Sequence, residues 1–414
     1  MQHHLTAFLC GNFCYDRYEP TRLEQCGWER EILDNKQYLY NAYAHEYVNF
    51  CYADDVANGC VRWHKTLNKR FQGEQSEGEQ TFRAVELKLY FFPDQIAIFS
   101  IEVDAEAAAL NAFTTTLYAI RLTEGDTSKA SVVAFAEMLN PLKEIVKELS
   151  DKALPRQKMR IFQIVGSQDY SDDNDTLLCK LGTLSNDCNG SEPYLSRDYT
   201  DKILKNGKLS IYANWDALAL LDTFTIFASP QVAEEYNWQW RDFLSSIYVH
   251  SLYQKQFLYT LNDRYRKVVA QQHQDSWYTR IRQRMLRKLS DIEVLTRKFD
   301  HYNQYACFHR ISYNFLPLEV DRAIDNGLEL NDEQQQLADA LHRAHFLQAE
   351  QNNETIKIVL FFVSIFALFS AVWDGSSLFS TIFNGEDHPT TFWAIAVFAV
   401  AVIALAYFLF KKRK

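Results

Sequence analysis

The chain has 414 residues, with 43 Lys and Arg against 53 Asp and Glu, and its formal net charge at neutral pH is -10. This acidic balance argues against direct nucleic-acid binding and makes attraction of cations the simpler expectation. The sequence has no P-loop, GxGxxG, GxSxG or HExxH motif. It therefore lacks the signatures of common nucleotide-hydrolysing and hydrolytic enzymes, and we predict that it is not an enzyme.

Residues 1–80 are predicted to be a Tyr- and Cys-rich region followed by a linker. Its tyrosines include four with the spacing of one helical face, which favours a buried aromatic face. They are Tyr38, Tyr40, Tyr43 and Tyr47. The segment 73–80 is rich in Gly, Glu, Gln and Ser, which is typical of a flexible linker.

Residues 81–228 are predicted to form an α/β domain. The stretches 85–90 and 96–103 read as strands, and Pro93-Asp94-Gln95 reads as the turn of a hairpin between them. Helices are expected next, the second of them bent or broken at Pro141. Further strands are expected at 159–165, 177–181 and 209–212.

Four aspartates crowd the loop that follows the strand expected at 159–165. They are Asp169, Asp172, Asp173 and Asp175. Hard cations prefer oxygen ligands, so Asp172, Asp173 and Asp175 are candidate ligands for Mg²⁺ or another divalent cation. An exposed acidic turn without a metal is the alternative interpretation.

Residues 229–330 are predicted to be helical, because long amphipathic stretches run from 231 to 305 with few Gly and no Pro. The stretch 263–298 is strongly basic for an acidic protein. Arg presents a fork that matches phosphate oxygens, so four residues of this stretch are candidate ligand-binding residues. They are Arg280, Arg284, Arg287 and Lys288. Anionic lipid headgroups, or a solvated face paired with acidic neighbours, are the alternatives.

Two apolar segments follow near the end of the sequence. A stalk helix is predicted over 331–373, and its part from 356, possibly as far as 383, has the length and apolarity of a first transmembrane helix. An outer loop over 374–391, a second transmembrane helix over 392–410 and a basic tail over 411–414 complete this organisation. Because Lys and Arg near membrane ends stay in the cytoplasm, both termini are expected there. The sequence thus predicts a multi-pass protein of the inner (plasma) membrane, in contact with the lipid bilayer.

Polar residues recur at steps of three or four along the first predicted span and its extension. They are Ser370, Asp374, Ser377, Thr381 and Asn384. This spacing places them on one helical face, which would line a pore in a ring of subunits. Asp374 matters most, because a ring of carboxylates attracts cations. The alternative is that the helix ends near Trp373 and a solvated loop follows.

The order of these parts resembles the CorA family of magnesium channels, over roughly residues 81–414. That family carries Gly-Met-Asn at the outer end of the first span, whereas this chain has Gly375, Ser376 and Ser377 in the corresponding place. The resemblance implies an α/β cytosolic domain, a long helical stalk and two C-terminal transmembrane helices. It also implies a homo-oligomer, with five subunits as the expected number.

Divergent CorA-like proteins without a clear signature also occur as membrane effectors of type III CRISPR systems, where a cytosolic domain senses a nucleotide second messenger. The missing motif and the additional N-terminal region favour this branch. It implies a cation channel that a nucleotide gates in antiviral defence. The alternatives are a transporter of magnesium or other divalent cations, and a membrane-tethered binding or signalling protein without a pore.

Overall fold

The structure is a computed structural model, and it describes residues 4–33, 37–74, 80–106, 109–126, 128–171, 174–188, 195–274 and 291–347, together with 357, 360, 361, 363 and 364. The chain divides into two compact units, Met1–Asp339 and Ala340–Lys414. The described residues of the second unit are helical. The strands of the described residues all lie in the first unit.

The first unit is built around one mixed β-sheet. Its strands are β1 (His4–Cys14), β2 (Glu29–Arg30), β3 (Val61–Gln72), β4 (Thr81–Phe92), β5 (Ile96–Glu106), β6 (Arg160–Gly166), β7 (Lys208–Leu209), β8 (Trp215–Ala219) and β9 (Thr223–Ala228). Their order across the sheet is β2-β3-β4-β5-β1-β6-β9-β8-β7. Neighbouring strands are antiparallel, except that β6 and β9 run parallel.

Helices cover both faces of this sheet. They are α1 (Pro20–Gln25), α2 (Gln37–Tyr40), α3 (His45–Cys51), α4 (Leu110–Ile120), α5 (Ala130–Met138), α6 (Asn140–Leu149), α7 (Asp175–Gly182), α8 (Arg197–Gly207), α9 (Pro230–Gln239), α10 (Ser245–Gln274), α11 (Asp291–Tyr305) and α12 (Phe315–Leu328). A π-helix over Trp240–Leu244 joins α9 to α10. Residues 330–339 are also helical.

The predicted hairpin is confirmed by the pairing of β4 with β5, in which Phe92 lies opposite Ile96. Asp94 and Gln95 in the turn both have φ of 63°. Two consecutive residues in the left-handed region are what a tight hairpin turn with the right twist requires. The break predicted at Pro141 is also found, because α5 ends at Met138 and α6 begins at Asn140.

Alternate residues of each strand point to opposite faces of the sheet. One face, which we call the core face, is apolar and carries Leu9, Leu89, Phe99 and Ile161, all completely buried. The apolar sides of α4, α5, α6 and α7 join the same hydrophobic core. This face therefore supplies most of the hydrophobic burial of the first unit.

The opposite face, which we call the π-helix face, is covered by the π-helix and α10. Its centre is apolar: the Tyr253 ring stacks on Phe92 with centroids 4.3 Å apart, and Tyr248 contacts Phe162 at 5.8 Å. Towards β3, β4 and β5 the same face is charged and carries Arg62, Lys88, Glu102 and Asp104, together with Arg83 and Glu86. The two halves of one sheet face thus differ in chemistry.

The strand predicted at 177–181 is wrong, because Asp175–Gly182 is the helix α7. The side chain of Asn174 caps this helix and accepts a hydrogen bond from the backbone N–H of Leu177 at 3.2 Å. A short apolar run cannot be assigned to strand or helix by periodicity alone. The cap residue that precedes it was the better signal.

The predicted CorA-like fold is contradicted. The centre of the sheet includes β1 from the N-terminal region, paired with both β5 and β6. Among the described residues, no helix combines the length and the apolarity needed to cross a membrane. The longest described helix, α10, has 30 residues, but its C-terminal part carries Asp263, Arg264, Arg266 and Lys267.

The same finding corrects the assignment as a membrane protein with transmembrane helices and an ion channel, and the multi-pass localisation in the inner membrane. The segments 356–373 and 392–410 had suggested these assignments through their apolar composition. Both lie outside the described residues, apart from the five single residues between 357 and 364.

Candidate functional site

The π-helix changes which side chains face one another at the start of α10. In an α-helix, residues five positions apart point in clearly different directions, whereas the wider π-turn brings them close to alignment. Trp238 and Phe243 are five positions apart, and their rings meet edge to face with centroids 5.7 Å apart. Such π-turns occur frequently at functional sites.

Phe243 is the centre of a group of aromatic rings, which we call the aromatic rim. Its ring lies 6.0 Å from Tyr38 and 6.0 Å from Tyr43, in addition to its contact with Trp238. Trp238 is 54% exposed and Tyr38 is 49% exposed. Large aromatic side chains that contact one another at the surface are typical of recognition sites.

A small cavity opens beside the aromatic rim, between α2, α3 and the π-helix. Its lining includes Tyr43, Tyr47, Tyr52, Phe243 and Ser246, and its volume is about 10 Å³. Space of this size holds at most one water molecule. The aromatic rim and this cavity together form the aromatic cleft.

Tyr47 belongs to the wall of the aromatic cleft. Its side chain is 4% exposed, and its ring meets His250 and Phe308 edge to face, with centroids 5.5 Å apart in each case. Its hydroxyl lies beside the Cys51 thiol. Tyr47 is therefore a buried part of this wall.

Two carboxylates lie near the aromatic rim. The pKa of Tyr38 is raised, first by burial and then by the charges of Asp242 and Glu31. Burial also raises the pKa of the Asp242 carboxyl group. The rim therefore combines aromatic surface with hydrogen-bond acceptors.

Arg62 lies beneath the aromatic cleft and holds its walls together. Its guanidinium group lies over the Tyr52 ring, 3.7 Å from the centroid. Nε donates to the carbonyl oxygen of Cys51 at 2.8 Å, and Nη1 donates to Ser246 Oγ at 3.3 Å. Because Arg62 is 6% exposed, it links α3 to α10 rather than facing the solvent.

The buried thiols and imidazole of this region are poor candidates for catalysis. Burial raises the pKa of Cys51 to about 11, and it also raises the pKa of Cys60. A thiol must ionise to act as a nucleophile, and these two are held in the neutral form. Burial lowers the pKa of His250 to about 4, and its Nε2 lies 3.1 Å from the carbonyl oxygen of Ala306.

Of the predicted metal ligands, only Asp175 lies within the described residues. Its Oδ1 accepts from Lys208 Nζ at 2.6 Å, so the carboxylate forms an ion pair at the start of α7. Asp172 and Asp173 lie outside the described residues. Within the described part of the chain, no group of three or more His, Cys, Asp and Glu side chains is placed to hold a metal ion.

The other predicted site residues fall outside the described part of the chain. This applies to the predicted pore-lining residues Ser370, Asp374, Ser377, Thr381 and Asn384, to Gly375 and Ser376 of the motif-equivalent segment, and to Arg280, Arg284, Arg287 and Lys288. Their proposed roles stay predictions.

The sequence reasoning missed Trp238 and Phe243, which it treated only as part of an amphipathic helical region. The composition of Tyr236-Asn237-Trp238-Gln239-Trp240 was the available signal, since three aromatic residues in five are unusual on an exposed helix. The predicted buried aromatic face of one helix, formed by Tyr38, Tyr40, Tyr43 and Tyr47, was wrong. Tyr38 and Tyr40 lie on α2 and Tyr47 lies on α3, whereas Tyr43 lies between these helices and Tyr38 is 49% exposed. No sequence pattern indicated the π-turn that joins both groups.

Comparison with protein-family models finds no match, and a search of the curated proteins finds no similar sequence. The function of this chain is therefore inferred from the geometry of the aromatic cleft.

Proposed function

We propose that this protein is a non-enzymatic ligand sensor that binds a nucleotide at the aromatic cleft. The observation that carries this proposal is the contact of Phe243 with two exposed rings, Trp238 and Tyr38, at the mouth of a cavity. The base stacks on these rings. Stacking of one base on an aromatic side chain contributes about 1 to 3 kcal/mol.

Polar groups around the aromatic rim supply the directional part of this recognition. The carboxylates of Asp242 and Glu31 accept hydrogen bonds from ribose hydroxyls or from an exocyclic amine of the base. Recognition thus rests on the base and the sugar.

Of the functions expected from the sequence, this proposal retains the binding of a nucleotide. The cation channel, the magnesium transporter and the membrane tether depend on the segments 356–373 and 392–410, which lie outside the described residues apart from five single residues. Assembly into a homo-oligomer and a role in a type III CRISPR system stay predictions from the resemblance.

Calorimetric titration of the full chain with AMP, GMP and cyclic AMP tests this function, with ribose 5-phosphate as a ligand without a base. We expect the nucleotides to bind and ribose 5-phosphate to give no signal. Trp238→Ala should weaken binding roughly tenfold, the equivalent of about 1.4 kcal/mol. Tyr199→Ala is the matched control, because Tyr199 is 52% exposed on α8.

Three results would contradict the proposal. The first is binding of ribose 5-phosphate as strong as that of AMP, which would place recognition on the phosphate. The second is equal affinity of AMP for Trp238→Ala and the unsubstituted protein. The third is no binding of any of the three nucleotides.

A further inference from the structure

Arg241 belongs to the π-helix but points away from the aromatic cleft, towards the sheet. Its guanidinium group forms an ion pair with Glu102, whose side chain is 5% exposed. A second carboxylate, Asp104, lies 3.9 Å from Arg241 Nη2. The π-turn is thus tied to the π-helix face through one side chain.

The two carboxylates are themselves held by the sheet. Asp104 accepts from Thr6 Oγ1 at 2.8 Å and from Arg83 Nη2 at 2.9 Å. In the pairing of β1 with β5, Asp104 lies opposite Thr6 and Glu102 lies opposite Phe8. Because β5 lies inside the sheet between β4 and β1, Arg241 contacts a rigid part of the molecule.

A second contact between the sheet and this segment lies just after the π-turn. Arg62 on β3 donates from Nη1 to Ser246 Oγ at 3.3 Å, and the same hydroxyl donates to the carbonyl oxygen of Asp242. The segment from Arg241 to Ser246 is therefore held at both of its ends. Phe243, which lies between them, points into the aromatic cleft.

We infer that the ion pair between Arg241 and Glu102 is a positioning element of the ligand site. The ion pair holds the wide turn in place and thereby keeps the Phe243 ring in contact with the Trp238 ring. Without this ion pair, the segment relaxes towards regular α-helical geometry, in which residues five positions apart no longer align. The aromatic rim then loses its central ring contact. This inference rests on the proposed function for its effect on binding, whereas its effect on the π-turn is independent of any ligand.

Three variants of the full chain test the inference. Glu102→Gln removes the charge and keeps the shape, and Arg241→Met removes the partner charge. Asp216→Asn is the matched control, because Asp216 on β8 is also buried on a strand of the sheet and lies 3.7 Å from the ammonium group of Lys208. Hydrogen exchange, measured by mass spectrometry without ligand, reports on the backbone of residues 238–246.

We expect Glu102→Gln and Arg241→Met to accelerate exchange selectively in residues 238–246 and to weaken AMP binding roughly tenfold, the equivalent of about 1.4 kcal/mol. Asp216→Asn should leave both unchanged. Exchange at 238–246 that matches the unsubstituted protein in both variants would overturn the inference, as would the same selective acceleration in Asp216→Asn. Selective acceleration without AMP binding to the unsubstituted protein would support the positioning role and refute the proposed function.

Discussion

The two faces of the central sheet have different roles in the structure. The core face is apolar along its strands and packs against α4 to α7. The π-helix face is apolar around Phe92 and Phe162 but charged towards β3, β4 and β5, where Arg62 and Glu102 are nearly completely buried. Apolar burial is non-directional, whereas buried charges need partners in defined places. The core face therefore stabilises the fold, and the charged half of the other face determines how the helices above it lie.

The largest effect on stability is expected on the core face. Phe99 is completely buried in the hydrophobic core. Replacement by alanine removes its apolar contacts and leaves a cavity, so Phe99→Ala should lower the free energy of unfolding by about 3 to 5 kcal/mol. Urea denaturation measures this change. A loss below about 1 kcal/mol would mean that the core face is not the main source of stability.

An intermediate, pH-dependent effect is expected at His250, on the helix that covers the π-helix face. Its pKa in the folded protein is about 4, below its ordinary value of 6.5, because the neutral ring is completely buried. The unfolded chain therefore binds more protons between these two values, and stability is fully present above pH 6.5 and falls as the pH drops towards 4. We expect a loss of about 3 kcal/mol over this interval.

Urea denaturation of the unsubstituted protein and of His250→Gln at several pH values checks this prediction. Glutamine retains a nitrogen donor for the carbonyl oxygen of Ala306 but does not titrate. The stability of the variant should depend less on pH between 6.5 and 4. An equal pH dependence of both proteins would show that His250 is not the titrating group.

A smaller effect of the opposite sign is expected at Asp325 on α12. Burial raises the pKa of its carboxyl group from 3.8 to about 7. A raised carboxyl pKa favours the folded state only while the group is protonated, so this contribution is lost as the pH rises through 7. Because Asp325 is only partly buried, solvent screens much of this effect. Asp325→Asn should therefore stabilise the protein at pH 8 by about 1 to 2 kcal/mol.

This gain should shrink to below about 1 kcal/mol near pH 4, where the carboxyl group is protonated in the folded protein and partly protonated in the unfolded chain. Thermal denaturation of Asp325→Asn at pH 4 and pH 8 measures the difference. Asp339→Asn is a control carboxylate in the helical residues 330–339. Destabilisation of Asp325→Asn at pH 8 would indicate that the charged carboxylate is needed by a partner group.

Short sequence patterns correctly predicted those secondary-structure elements that depend on interactions between nearby residues. Alternation around Pro93-Asp94-Gln95 predicted the hairpin of β4 and β5, and Pro141 predicted the break between α5 and α6. The run at 177–181 failed because a short buried helix and a buried strand have the same apolar composition. The order of domains that resembled CorA failed as a guide to the fold, because it treated the N-terminal region as an addition to the α/β domain.

The sequence by itself determined the acidic balance, the hairpin and the helical character of 231–274 and 291–305. Only the tertiary structure placed β1 at the centre of the sheet and brought Tyr38 into contact with Phe243, about 200 residues away in the chain. Hydrophobic periodicity and the conformational propensities of residues depend only on residues that are close to one another in the sequence. The aromatic cleft depends on pairing between distant strands and on one π-turn, and neither leaves a periodic signal.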